Sequence, residues 1–413
     1  MNYNTHTLSN GLRIIHLASS APVVYCGYAV GAGTRDEEKA REEGMAHFCE
    51  HMTFKGTQRR SSIKILNYLE SVGGDLNAFT GKEDTMYHAA VLKDNVDRAV
   101  DLLTDIVFYS TYPQAEIDKE VEVIVDEIES YNDSPSELVY DLFENAVFAG
   151  HPLGHNILGT AEQLRTYTTA DALRFTQRFY RPDNCVFFAY GDVEFDKLVR
   201  LLEKAHAGSS PCCSDADAHA SQHSSPLPPY IPQHIERHDD THLAHVMLGT
   251  RAFDVHDERR IALYLLNNIL GGPGMTARLN ISLREKHALV YTVESMMQSY
   301  SDTGLWAVYF GCDPNNVNRC LRLVRRELDK VMDSPLSATQ LRAAKKQIRG
   351  QIGIACDSRE SFALDFAKNY LHYGWLKDVG SLCARIDAVT AEELQEVARQ
   401  VFGEDQLTRL IIK

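Results

Sequence analysis

Apolar residues recur along this chain with two periods, and each period predicts a different element. Leu12-Arg13-Ile14-Ile15-His16, entered through the turn signal Asn10-Gly11, and the run Val23 to Val30 predict two early strands. Helical spacing follows: Ile63, Leu66 and Leu69 mark one face, and Val96, Ala99, Val100, Leu103 and Val107 mark another. Between these faces, Asp84 to Leu92 predicts a strand. The acidic segment Glu116 to Glu129 opens just after Pro113, a common helix-start residue, and keeps Ile117, Val121, Ile124 and Ile128 on one stripe.

Past Ala207 the pattern breaks into Gly, Ser, Pro and small polar residues, which predicts a linker over 208–235. Beyond it the order of elements recurs. A strand is expected at His242 to Gly249 and a helix at Arg259 to Leu270, followed by a further helix and the strand Thr303 to Gly311, whose Asp302-Thr303 echoes Asp84-Thr85. The second half therefore reads as a degenerate repeat of the first, which predicts an N-terminal domain over 1–207 and a C-terminal one over 236–413. The length of 413 residues agrees, since it exceeds what one typical core accommodates.

Composition narrows the class. With 44% hydrophobic and 24% charged residues the chain reads as soluble and globular, and no run of 18 apolar residues predicts a membrane span. A net charge of -15 argues against nucleic acid as partner, because phosphate binding needs clustered Lys and Arg. The first eleven residues carry neither a basic nor an apolar signal region, so a cytoplasmic location is expected. The nine cysteines are scattered without a framework spacing and are expected to be reduced thiols, the adjacent pair Cys212-Cys213 being a linker pair without function.

The chemistry concentrates in His47-Phe48-Cys49-Glu50-His51, an H-x-x-E-H string. On a helix, residues four apart project from one face, so His47 and His51 can hold one Zn²⁺, with Glu50 on the same side. Catalytic zinc takes three protein ligands and one open position, so a distal carboxylate is required. At about 100° per residue, Glu116, Glu120 and Glu127 fall along one edge of the acidic helix. Periodicity does not choose among them. The second half holds Leu265 to Leu270 where the motif would stand, and no H-x-x-E-H.

These residues resemble the pitrilysin and insulin-degrading-enzyme family of zinc peptidases, and more closely its two-domain branch that includes the mitochondrial processing peptidase. In that family the ligand Glu lies about 76 residues beyond the second His and a supporting Glu precedes it by seven, positions that Glu127 and Glu120 occupy. The resemblance thus implies one Zn²⁺ per chain on His47, His51 and Glu127, with Glu50 as general base on the zinc-bound water and Glu120 in support. Gly74 to Thr80 is similar to the family's edge strand that pairs with extended substrate, which implies Asn77, Ala78, Phe79 and Thr80 as substrate-binding residues. Leu283-Arg284-Glu285-Lys286 and Leu289-Val290-Tyr291, after the glycine-rich turn Gly271 to Leu279, resemble the pair that contacts substrate opposite the zinc, which implies roles for Arg284 and Tyr291.

The fold so implied is α+β, with two homologous domains, each a mainly antiparallel sheet packed with helices, forming half of a clamshell. A chain with two such domains implies a partner chain. With both the zinc motif and the Arg and Tyr pair present, a homodimer is expected, in which Arg284 and Tyr291 face the zinc of the other subunit inside an enclosed chamber that admits short or unfolded peptides. The expected function is zinc endopeptidase. The alternatives are a processing-peptidase subunit that needs a different partner chain, and a scaffold that kept the fold without the chemistry. His88, His151, His155, His242 and His245 are read as structural.

Overall fold

The structure, a computed structural model, describes residues 2–38, 41–207, 226–239 and 241–413. The β-branched and aromatic runs form strands, as their alternation predicts. β1 (Tyr3–Thr7), β2 (Arg13–Ala18), β3 (Val23–Val30), β4 (Asp75–Thr80), β5 (Thr85–Leu92) and β6 (Cys185–Gly191) build one sheet in the order β1-β2-β6-β3-β5-β4. Only β2 and β6 run parallel; the other neighbours are antiparallel. β4 is an edge strand, paired on one side with β5 in a register that sets Asn77 against His88 and Thr80 against Thr85.

The second sheet comprises β7 (His234–Arg237), β8 (Ala244–Ala252), β9 (Val290–Ser299), β10 (Gly304–Cys312) and β11 (Thr408–Ile412), in the order β7-β11-β8-β10-β9. Again one pair, β7 and β11, is parallel and the rest antiparallel. The strands β2-β6-β3-β5-β4 and β7-β11-β8-β10-β9 match one for one in chain order, direction and position, so the repeat read from periodicity is a repeat of topology. The helix Met45–Thr53, which carries the H-x-x-E-H string, follows β3, and the helix Arg259–Gly271, which has no His or acidic residue, follows β8. Mixed sheets packed with helices make this an α+β fold. The predicted linker lies mostly outside the described residues, and its last two positions belong to β7.

Two compact units hold these sheets, and each draws on both halves of the sequence. The first unites the described residues of Met1–Glu129, His155–Ser224 and Ala355–Lys377; the second unites those of Ser130–Gly154, Ser225–Ile354 and Asp378–Lys413. A division into continuous stretches 1–207 and 236–413 therefore misassigns two helices. The helix Arg359–Tyr373 turns Phe362, Ala363, Phe366, Ala367 and Leu371 inward and packs on β3 and β6 of the first sheet, where Phe366 meets Tyr3, Phe188 and Tyr190. The helix Pro135–Val147 lays Val139, Phe143 and Val147 against Met247, Leu305, Ala307 and Leu410 of the second. Each fully buried large apolar side chain contributes about 1.5–3 kcal/mol. Closing a longer loop costs only about 0.6 kcal/mol per doubling. Three such side chains outweigh the sequence distance, so an apolar face packs where it fits best. No helix among the described residues is long and apolar enough to cross a membrane.

Candidate active site

The motif helix Met45–Thr53 is buried at every residue except His51. Met45, Phe48, Cys49 and Met52 belong to the core of the first unit, which orients the helix and leaves His47, Glu50 and His51 to the other side. The two imidazole rings lie 4.6 Å apart, as one helical turn requires. Gly44 begins the helix at φ 82°, and a Cβ there would come within 2.7 Å of the Leu158 carbonyl oxygen. Only glycine meets both conditions without strain.

The acidic helix, Gln114–Asn132, decides among the three carboxylates. Glu127 Oε2 lies 3.4 Å from His51 Nε2 and 3.9 Å from His47 Nε2. Glu120, two turns earlier, accepts from His51 Nδ1 at 3.1 Å and from Lys55 Nζ at 2.5 Å. Glu116 pairs instead with Lys119 and takes no part. One ligand atom each of His47, His51 and Glu127 all fall within 4.8 Å of one another.

This set fits a zinc ion. Metal bonds of about 2.0–2.2 Å in a tetrahedron put donor atoms about 3.3 Å apart, close to the two separations given above. The Nδ1 proton of His51 is directed to Glu120, which turns the Nε2 lone pair toward Glu127, the arrangement that orients ligand imidazoles in zinc sites. Three acceptors converge there. In the protein alone they share protons unequally. Burial and then the neighbouring His51 hold His47 down to about 4, against the pull of Glu127. For His51, burial acts to lower the pKa, but its bonds to Glu120 and Glu127 prevail and push it up to about 9. Its bond to His51 holds Glu127 below the usual carboxylate range.

Glu50 is buried beside the ligands without being one. Its Oε2 accepts a hydrogen bond of 2.7 Å from the Thr80 hydroxyl at the end of β4. Burial raises its pKa, opposed by that bond, which moves a carboxylate toward the range useful for taking and returning a proton near neutrality. β4 thus ends at Glu50, with Ala78 and Thr80 half-buried, Asn77 exposed and Phe79 exposed by 41%. Among the described residues β4 has no strand partner on its other side, the side on which an edge strand offers its backbone groups for pairing.

Arg284 and Tyr291 belong to the second unit. Arg284 sits in the π-helical turn Asn280–Glu285, with its guanidinium 5.9 Å from the Tyr291 ring centre, and Tyr291 projects from edge strand β9 with 84% exposure. The structure brings these two together with each other. Of the histidines read as structural, His155 supports Glu37 at 2.9 Å, and His245 bonds Tyr309. Sequence reasoning missed Thr80 as partner of Glu50, Lys55 as partner of Glu120, and Glu37. Lys55 stands four residues after His51, a spacing that would have found it; Thr80 and Glu37 come from β4 and a loop, and no periodicity links them to the helix.

Known proteins are similar to this chain along nearly its whole length. Residues 13–161 match the family model for insulinase, peptidase family M16, and residues 166–348 match the model for the peptidase M16 inactive domain. The chain is 32% identical over 98% of its length to an uncharacterized zinc protease, YmxG, of Bacillus subtilis, covering 97% of that protein. The chain belongs to the insulinase family of peptidases. A second M16 relative, an uncharacterized zinc protease of Streptomyces coelicolor, is 34% identical over 96% of this chain and 86% of its own length. Two solved structures share the M16 fold at lower identity. A protease from Helicobacter pylori superposes with TM-score 0.89 at 22% identity, covering 100% of this chain and 99% of its own. A protein from Pseudomonas fluorescens described as a peptidase M16 inactive domain superposes with TM-score 0.89 at 18% identity, covering 100% and 98%.

Proposed function

We propose that this insulinase-family chain is a zinc-dependent endopeptidase that hydrolyses short or unfolded peptides. The observation that carries the reading is the convergence of His47, His51 and Glu127 beside a buried Glu50 that is tied, through Thr80, to an open sheet edge. Zinc held by the three ligands supplies Lewis-acid polarisation of a scissile carbonyl and lowers the pKa of a water from ~16 toward ~7. The chain's own residues do the rest. An extended peptide adds to β4 beside Asn77 to Thr80, which aligns its backbone by main-chain hydrogen bonds and leaves its side chains alternating. Thr80 fixes one oxygen of Glu50, and the other takes a proton from water and returns it to the leaving amine. Glu120 keeps the His51 imidazole in the ligating tautomer and orientation. Arg284 and Tyr291 donate to the carbonyl oxygen as charge develops.

In the same reading two copies of the chain associate, with Arg284 and Tyr291 of one copy serving the zinc ligands of the other, in an enclosed chamber that excludes folded proteins. The 84% exposure of Tyr291 on an edge strand supports such a role. The seven cysteines among the described residues are free thiols, in keeping with a reducing, cytoplasmic setting.

The test is digestion of an unstructured peptide by zinc-loaded protein, wild type beside Glu50→Gln, with mass spectrometry of the fragments. Internal cleavage by the wild type is expected, at least ~10²-fold slower in the variant because proton transfer contributes about that much. A zinc-loaded wild type that cleaves nothing by itself would sink the self-sufficient peptidase and favour a subunit that needs a different chain.

A further inference from the structure

The motif helix has an N-terminal problem that its own sequence does not solve. The first amides of a helix lack partners within it, and the residue at the cap position normally supplies a side-chain oxygen. Here that residue is Gly44, whose left-handed φ and close approach to Leu158 and Gly159 exclude a side chain. The amides are met from elsewhere. Glu37, in the loop seven residues before Gly44, directs Oε2 to the Gly44 amide at 3.0 Å and Oε1 to the Ala46 amide at 2.9 Å. Its side chain is 1% exposed.

A third donor completes the shell. His155 Nε2 lies 2.9 Å from Glu37 Oε2, and the His155 carbonyl accepts from Lys82 Nζ. Lys82 belongs to the β4–β5 turn, two residues beyond the Thr80 that holds Glu50. The loop carrying Glu37 is pinned to the same turn by Thr34 N to Gly81 O at 3.2 Å, Arg35 N to Lys82 O at 2.8 Å and the buried Arg35–Glu83 ion pair at 2.6 Å. Burial pushes the Glu37 carboxyl up to about 7, while His155 and the Ala46 and Gly44 amides pull the other way. A negative group here also meets the positive end of the helix dipole.

We infer that Glu37 is the positioning residue of the zinc-binding helix, a remote cap that fixes the first turn, and with it His47, relative to the β4–β5 turn. It touches neither ligand side chain nor substrate. The Ala46 amide precedes His47 directly, so releasing it loosens the turn that aims that imidazole, while His51, one turn on, keeps its own support from Glu120. The inference rests on the zinc reading above but not on peptidase activity.

The experiment measures zinc affinity of the full chain by competition with a chromogenic chelator, after the metal has been stripped. Glu37→Gln keeps the volume but turns one acceptor into an NH₂ group that faces a donor. Outer partners of metal sites typically change affinity 10–100-fold, so a loss of about tenfold or more is expected, with a shifted visible spectrum of the Co²⁺-substituted protein. In the loaded enzyme kcat should fall while KM holds, since β4 is untouched. Phe366→Ala, a buried change in the same unit but outside the core that holds the motif helix, serves as the control for general destabilisation and is expected to leave zinc affinity as it is. Wild-type affinity in a folded Glu37→Gln protein, or an equal loss in Phe366→Ala, would overturn the inference. Where Glu37→Gln does not fold, His155→Ala carries the test, because it removes the donor that faces Glu37 Oε2 and leaves both amide bonds. Weaker zinc binding is expected, and unchanged binding refutes the role. A wild type that binds zinc yet cleaves nothing would count against the peptidase reading and leave this test intact.

Discussion

Replacing Asp84 by Asn should destabilise the first unit by about 2–3 kcal/mol at neutral pH, and the loss should shrink in acid. The Asp84 side chain is fully buried in the turn just before β5, and its Oδ2 accepts from Lys368 Nζ at 2.8 Å and His372 Nε2 at 2.9 Å, both on the helix Arg359–Tyr373. Its own carbonyl accepts from the Gly81 amide at 2.7 Å, closing the β4–β5 turn. Breaking a fully buried ion pair costs about 3–5 kcal/mol. Here the Lys368 side chain is 39% exposed and recovers part of its hydration, and Asn retains one acceptor, which brings the figure down to about 2–3 kcal/mol. For a unit of this size that corresponds to a melting shift of about 5–10 °C.

The pH dependence follows from the sign of the Asp84 shift. Burial alone would raise its pKa, but Lys368 and His372 outweigh it and hold the carboxyl well below the usual range. A depressed native pKa contributes stability that is present above the unfolded value of ~3.9 and lost as pH falls toward the native one. Linkage to that unfolded value gives a narrowing of the wild-type advantage by about 0.7 kcal/mol between pH 7 and pH 3.5. Calorimetric unfolding of the metal-free proteins at both pH values measures it. A variant that melts within about 2 °C of wild type at pH 7, or a gap that widens in acid, would refute the reasoning.

Three further outcomes are expected. Glu120→Ala should weaken zinc binding by about 10–100-fold, read by chelator competition, because His51 loses the acceptor that holds its tautomer and Lys55 is left unpaired. Phe79→Pro should raise KM for long peptides more than for the shortest cleavable one, since proline on an edge strand obstructs backbone pairing; cleavage kinetics equal to wild type would argue against strand addition. Gel filtration with light scattering should report a dimer, and a monomer that still cleaves peptides would remove the shared-chamber arrangement.

Much of the site was legible because its signal is local. His47, Glu50 and His51 share a face through helical geometry alone, and the strand from Val23 to Val30 matched its predicted ends because β-branched and aromatic residues run unbroken there. The strand expected at His242 to Gly249 instead spans Ala244–Ala252, a shift at both ends that alternation does not resolve. Glu116, Glu120 and Glu127 were equivalent by periodicity; the resemblance singled out Glu127 and Glu120, and the lie of the acidic helix against the motif helix sets Glu127 beside both imidazoles and Glu120 behind His51. The exchanged helices Pro135–Val147 and Arg359–Tyr373 were invisible as exchanges, because an apolar stripe records that a face is buried and not which sheet buries it.

The amino-acid order by itself determined the H-x-x-E-H face, the two-fold recurrence of strands and helices, and the resemblance that named Glu127 and Glu120. These depend on short-range spacing, which the backbone's fixed geometry turns directly into direction. Only the tertiary structure decided that Thr80 holds Glu50, that Glu37 caps the zinc helix in place of Gly44, and that Asp84 is paired with Lys368 and His372 from the far end of the chain. Those contacts join residues with no common period. They exist because buried polar groups without partners are costly, and a packed interior brings a partner to them from wherever the chain passes.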